Sequence, residues 1–285
     1  MAIDISRRIM KMYPTLSKGH KKLANAVIND YDKVAYMTAS TLGLRVGVSE
    51  STVVRFAAVL GYEGYSNFQR AIQELVKIKL TPNQRIEITK QRIGKSDIVE
   101  SVMRSDIAKI KYTLDHLDRD AFYDSVDAIL SAENIYVMGA RSSEPIAKFL
   151  QYNLSLIFDN VKFVSASSTA EVFEQMFSIG SKDVLIALSF PRYSSKVVNA
   201  IKFAASKQAK TIALTDSVIS PLTQYAMYTL LAQSDMASFM DSLAAPISII
   251  NAIIVEITRR CEKEITNRFD TLEKIWDEYD VYTKN

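Results

Sequence analysis

The sequence predicts an all-α helix-turn-helix domain followed by an α/β doubly wound domain built on a five-stranded parallel sheet. Three observations support this. Through residue 80, apolar side chains recur at spacings of three and four, the helical period. After Glu133 the pattern becomes short apolar runs alternating with helix-length segments, as in βαβ units. Charge is also uneven: residues 1–80 hold 12 Lys+Arg against 6 Asp+Glu, a net of +6, and the remainder holds 23 against 26, a net of −3. A basic module on an acidic body points to one part that meets a polyanion and one that does not, with chance asymmetry as the plain alternative.

In chain order, Thr15-Leu16-Ser17 precedes a helical run through Leu23, Ala24, Val27, Ile28 and Tyr31, and three further short helical patterns follow. The stretch Thr38 to Leu60 reads as a bihelical unit. Thr38 N-caps a helix ending near Val46, Gly47 supplies a left-handed turn, Ser49 N-caps a second helix to about Leu60, and Gly61 stops it. Gly43 lies where the two helices approach, so only a small side chain fits. Leu42, Val46, Val48, Val53, Phe56 and Leu60 are expected to point inward. Ser49, Glu50, Ser51, Thr52, Val54 and Arg55 are left outward, at the end of the helix that enters the major groove in this motif. Arg55 suits a guanine edge or a phosphate, Ser51 and Thr52 suit phosphates or base edges, and Glu50 repels phosphate unless it accepts from a cytosine amine. Thr38, Ser49, Glu50, Ser51, Thr52 and Arg55 are the candidate DNA-binding residues. The alternative is an ordinary helical hairpin whose outward side chains are merely solvated.

Residues 1–80 form the first expected domain. Residues 81–95, polar and containing Pro82, are expected to be a linker, and 96–285 the second domain. Helical periodicity over 96–132 runs through Ile98, Val102, Ile107, Ile110, Leu114 and Leu117. Five strands are expected at Ile135–Met138, Val161–Val164, Val184–Leu188, Thr211–Leu214 and Met227–Leu231. Helices are expected at about 143–158, 169–178, 194–207, a short one from Ser220, 242–262 and 266–282.

Small hydroxyl residues follow the strands: Arg141-Ser142-Ser143, Ser189 through Ser195, and Thr215-Asp216-Ser217 with Ser220-Pro221. In open α/β sheets ligands bind beyond the carboxyl ends of the strands, where helix N-termini favour anions. Arg141 and Arg192 add bidentate positive charge. The candidate effector-binding residues are therefore Arg141, Ser142, Ser143, Ser189, Arg192 and Ser194. Helix capping is the alternative for the serines and an inter-subunit salt bridge for Arg192. For Ser220-Pro221, a helix start is the favoured reading.

Composition narrows the function classes. At 285 residues the chain has room for about two domains, and 48% hydrophobic residues are enough for a real core. One cysteine, Cys261, excludes an intramolecular disulfide framework, and two distant histidines, His20 and His116, leave little for a metal centre. No metal and no cofactor is expected. The N-terminus lacks the apolar core of a secretory signal. The apolar stretch Leu243 to Ile257 is interrupted by Pro246, Ser248, Asn251 and Glu256, short of the roughly 20 residues a membrane span needs. A cytoplasmic protein without a membrane partner is expected.

Two segments carry a family resemblance. The first is Gly47 through Phe56, followed by Leu60-Gly61-Tyr62-Glu63-Gly64-Tyr65-Ser66-Asn67-Phe68. The second comprises Gly139 to Ser143, Ser189 to Ser194, and Thr215-Asp216-Ser217 with Ser220-Pro221-Leu222. The chain resembles the RpiR/MurR-type bacterial transcription regulators, which join a helix-turn-helix domain to a sugar-isomerase (SIS) domain that senses a phosphorylated sugar or related metabolite. The resemblance implies double-stranded operator DNA and an anionic carbohydrate as partners, and a homo-oligomer, dimer or tetramer, assembled through the SIS domain. It places the family's first-loop serine on Ser143 and the ends of its phosphate loop, Ser-x-Ser-Gly-x-Ser/Thr, on Ser189 and Ser194. The sequence departs from that loop: Pro191 replaces the middle serine and Arg192 the glycine. Arg141 stands where the first loop commonly has glycine. A rearranged anion site follows, for an effector that carries a carboxylate or presents its phosphate differently. The rival is a sugar-phosphate isomerase with an accessory helical domain, whose general base would come from Glu144, Glu171 or Glu174.

Overall fold

The computed structural model describes residues 5–93 and 97–283. The chain divides into two compact units, Met1–Gly94 with Ser238–Met240, and Lys95–Ala237 with Asp241–Asn285.

The first unit comprises α1 (Ile5–Met12), α2 (Lys18–Asn29), α3 (Tyr31–Val34), α4 (Ala39–Val46), α5 (Glu50–Val59), α6 (Tyr65–Lys79) and α7 (Pro82–Ile93). The turn between α4 and α5 forms as the residues dictate. Thr38 Oγ1 accepts from the Thr41 N–H at 3.1 Å, and Ser49 Oγ accepts from the Thr52 N–H at 3.3 Å. Gly47 adopts φ +70°, which residues with a Cβ avoid. A Cβ on Gly43 would sit 2.8 Å from the Val48 carbonyl oxygen, so the helices close only because that atom is missing. Leu42, Val53, Phe56 and Leu60 are buried; Val46 and Val48, expected inward, are only half-buried. Phe56 meets Phe68 of α6 edge-on at 5.6 Å. Tyr65 and Gln69, also on α6, both donate to the Met37 carbonyl, at 2.6 and 2.8 Å, which fixes the entry to α4.

The segment expected as a linker is helical through residue 93; residues 94–96 lie outside the described ones. The start of α7 is a capping box: Thr81 Oγ1 accepts from the Gln84 N–H at 3.3 Å while Gln84 Oε1 accepts from the Thr81 N–H at 2.9 Å. Pro82 at the first helical position costs nothing there.

The second unit comprises α8 (Ile98–His116), α9 (Arg119–Leu130), β1 (Ile135–Gly139), α10 (Glu144–Ile157), β2 (Val161–Phe163), α11 (Thr169–Gln175), β3 (Val184–Leu188), α12 (Ser195–Ser206), β4 (Lys210–Thr215), β5 (Tyr228–Leu231), α13 (Ala244–Arg260) and α14 (Glu262–Glu278). The five strands form one parallel sheet in the order β2-β1-β3-β4-β5. Strand residues alternate between two cores. Val184, Ile186 and Leu188 pack with α9, α10 and α13, whereas Leu185 and Ala187 pack with α11 and α12. The sheet is thus covered on both faces, which is why its inner strands β1 and β3 read as unbroken apolar runs.

The helical expectation for 96–132 holds, in two pieces, and the helix expected from Ser220 is corrected. The helical stretch 96–132 is two helices, because Asp118 caps α9 by accepting from the Ala121 N–H at 3.0 Å. The apolar positions of α8 do not enter the core. Ile98, Val102, Ile107, Ile110 and Leu114 are exposed, while Lys109 and Thr113 are buried. Lys109 donates to Ser105 Oγ at 2.6 Å and pairs with Asp106 at 3.4 Å, and Thr113 Oγ1 accepts from the Gln233 N–H at 2.9 Å. No helix starts at Ser220; the segment is a run of turns, and the buried Ser220 hydroxyl pairs with Thr215 Oγ1 at 2.8 Å.

Gly43→Ala places its methyl against a backbone oxygen that cannot yield, so a loss of about 1–3 kcal/mol is expected. Gly64→Ala, with nothing within 4 Å, is the control. Thermal unfolding of the two variants checks the difference.

Candidate functional site

On the first unit, the leading end of α5 is exposed and polar. Ser49 Oγ lies 3.0 Å from Ser51 Oγ and 2.8 Å from Thr52 Oγ1. Arg55 donates from Nε to the Ser51 carbonyl at 3.2 Å and from Nη2 to Ser51 Oγ at 3.4 Å. Glu50, Ser51 and Arg55 are exposed, and Thr52 is half-buried. The structure therefore gathers Ser49, Glu50, Ser51, Thr52 and Arg55 on one helix end. Thr38, exposed at the start of α4, has its hydroxyl occupied as that helix's cap, and Ser49 likewise caps α5. Arg45 is held by Asp30 at 2.9 Å. His20 stacks obliquely on Phe56 at 5.6 Å; burial, then the nearby Arg55 charge, lowers its pKa from the usual 6.5.

On the second unit, β1 and β3 are neighbours, and Gly139 pairs with Leu188. With β2 on one side and β3 on the other, β1/β3 is the point where the strand order reverses, and the loops leaving it frame a crevice. A cavity of about 520 Å³ lies there, lined by Arg141, Arg192, Lys196 and Glu144. Hydroxyl residues Tyr193, Ser194 and Ser195 complete its polar wall. Both arginines hold left-handed backbone, φ +56° at Arg141 and +64° at Arg192. That conformation costs a residue with a Cβ about 1–2 kcal/mol. The other described non-glycine residues with positive φ, Gln208 and Asp280, simply follow the C-termini of α12 and α14, the usual place for such a residue.

The serines separate into two groups. Ser194 lines the cavity and makes no side-chain cap bond at the start of α12. Ser189 is buried, and its Oγ accepts from the Ser194 N–H at 3.1 Å, so it shapes the loop from within. Ser143 is buried too, and Ser142 is exposed outside the lining. Sequence reasoning missed Lys196, the second residue of α12. Its Nζ donates to the Ala166 and Ser167 carbonyls at 2.5 and 2.8 Å, tying the loop after β2 to the cavity wall. A lysine on an apolar-periodic helix carries no local signal that would distinguish it from a solvated one.

Glu144 is neutralised by Lys148 at 2.7 Å. Glu171, the second acid named above as a general base, is outside the lining and bonded to Ser167; Glu174 is outside it as well. Among the described residues, no group of three or more His, Cys, Asp or Glu is placed to hold a metal ion, and no helix is long and apolar enough to cross a membrane.

Residues 3–77 match the helix-turn-helix domain of the rpiR family, and residues 128–256 match the SIS domain. The chain is of the RpiR type. An uncharacterized HTH-type transcriptional regulator of Haemophilus influenzae is 28% identical over 231 residues, 80% of this chain and 79% of that protein. The sugar isomerase domain of an RpiR transcription factor from Sphaerobacter thermophilus superposes with a TM-score of 0.58 at 25% identity, over 61% of this RpiR-type chain and 97% of that one. The Vibrio vulnificus NanR protein, solved in complex with ManNAc-6P, gives 0.61 at 19% identity over 96% and 98% of the two chains, a likeness of fold.

Because its folded pKa is below the free value of about 6.5, His20 favours the fold while neutral. Its contribution is fully present above pH 6.5 and is lost as pH falls through the lowered value. The N-terminal unit should melt earlier at about pH 5 than at about pH 7.5, and His20→Gln should flatten that dependence.

Proposed function

We propose that the chain is a DNA-binding transcription regulator, not an enzyme, whose second unit senses an anionic carbohydrate in the β1/β3 cavity. The observation that carries this reading is a strongly basic cavity at the strand-order reversal, in a chain whose other unit presents a polar helix end with Arg55. The leading end of α5 enters the major groove of operator DNA, Arg55 meets a guanine edge or a phosphate, and Ser51 and Thr52 meet phosphates or base edges. In the cavity, Arg141, Arg192 and Ser194 contact the effector, while Ser143 and Ser189 support its loops from beneath. The NanR likeness, solved with a sugar phosphate, fits an effector of that class. Isomerase chemistry is disfavoured because Glu144, the one acid in the lining, is paired with Lys148.

The active form is a homo-oligomer, and the apolar outer face of α8 is a surface through which the second units pair. Pairing sets two α5 helices for half-sites about one helical turn apart. The effector acts by binding one arrangement of the pair more tightly than the other.

Electrophoretic shift against genomic fragments is the direct test; absence of any shift at low salt, with and without sugar phosphates, sinks the proposal. Arg55→Ala should weaken specific binding by about 1–3 kcal/mol. Ile107→Asp, at a position 63% exposed, should leave the fold intact and yield monomers in sedimentation analysis. Unchanged oligomers would remove α8 from the interface.

A further inference from the structure

We infer that the cavity takes a carbohydrate bearing two separate anionic groups, a phosphorylated sugar acid, with the phosphate on the Arg192 side and the carboxylate on Arg141. This rests on the effector reading above and specifies its ligand.

The charge balance is the first argument. The lining brings Arg141, Arg192 and Lys196 against a single acid, Glu144, which Lys148 already neutralises from outside the lining at 2.7 Å. Among the described residues, no carboxylate pairs with Arg141 or Arg192. Two unpaired guanidiniums in one concavity repel each other, and each sits on backbone that disfavours a side chain. Glycine would suit both positions better. A bound ligand carrying one anion per guanidinium offsets both costs.

The second argument is that the two arginines belong to different loops with different donor sets. Arg192 leaves β3 and leads into α12, whose N-terminus carries the Ser194 and Ser195 hydroxyls and no acid in its first turn. Free N–H groups, hydroxyls and a guanidinium together suit a phosphate. Arg141 leaves β1 and leads into α10. There Glu144 occupies the first turn, and Pro145 contributes no N–H. A dianionic phosphate is poorly served there, whereas a singly charged carboxylate matches the planar guanidinium bidentately. The loop after β3 points the same way. Pro191 supplies neither hydroxyl nor N–H, and Ser189 Oγ is occupied by the Ser194 N–H, so recognition moves from the loop backbone to Arg192.

The experiment is calorimetric titration of the full chain with matched probes. 6-Phosphogluconate and 3-phosphoglycerate carry both anions. Glucose 6-phosphate and glycerol 3-phosphate lack the carboxylate. The doubly anionic member of at least one pair is expected to bind about tenfold or more tightly than its partner, the size of one charge-assisted contact. Arg141→Gly, which suits the left-handed backbone and so folds, should abolish that preference by weakening the doubly anionic probes about tenfold more than the carboxylate-free ones. Arg192→Gly should weaken all four. Equal binding within both pairs overturns the inference while the effector site stands, and so does an Arg141→Gly variant that weakens all probes alike. Failure of all four probes to bind the unmodified chain overturns the anionic-effector reading itself, and this inference with it.

Discussion

The cavity at the β1 and β3 strand ends depends on one close approach. At Gly139, the last residue of β1, an added Cβ would stand 2.5 Å from the Ser143 carbonyl oxygen and 2.8 Å from Ala147 Cβ. The chain leaving β1 therefore turns back directly over the strand end, as the tight turn Arg141–Ser143, and α10 settles on β1 without a gap. The turn drives Arg141 into the left-handed region and Ser143 into the interior. On the neighbouring strand, Ser189 ties the loop down through the Ser194 N–H. Strands in register from Gly139 to Leu188 then release both loops at the same level. The crevice between them is a consequence of sheet order and of a missing methyl group.

Electrostatics divides labour along the chain. The first unit's excess of basic residues has a ready partner in a phosphate backbone. The second is acidic overall yet brings two arginines and a lysine together in its cavity. A local positive field inside an acidic body admits small anions and gives the body itself no attraction for DNA. The buried Lys109 on α8 shows the other way this fold treats charge. It is held by Ser105 and Asp106 and does no visible chemistry.

Much of the architecture was legible in the residues. Gly43, Gly47 and the serine and threonine caps specify the α4–α5 turn through steric and hydrogen-bonding needs that act within a few residues. The strands are legible because a sheet buried on both faces leaves only apolar side chains to choose from. The linker expectation failed where a local signal was present: Thr81-Pro82-Asn83-Gln84 is itself a helix start, and the polarity of the segment masked it. The helix α8 is read correctly, but where its apolar face points is not legible in the sequence. Its apolar stripe has the right period, but periodicity states that a face is apolar and not what covers it.

The sequence by itself determined the two-module order, the turn of the helix-turn-helix and the five strands. Each of these rests on local conformational preference or on repeat period. Tertiary structure decided which hydroxyls face the cavity, that Lys196 joins Arg141 and Arg192 there, and that α8 turns its apolar face outward. Those outcomes depend on segments far apart in the chain meeting at one place. Burial of Ser143 and Ser189 beside the half-burial of Ser194 follows from how loops from two strands pack together.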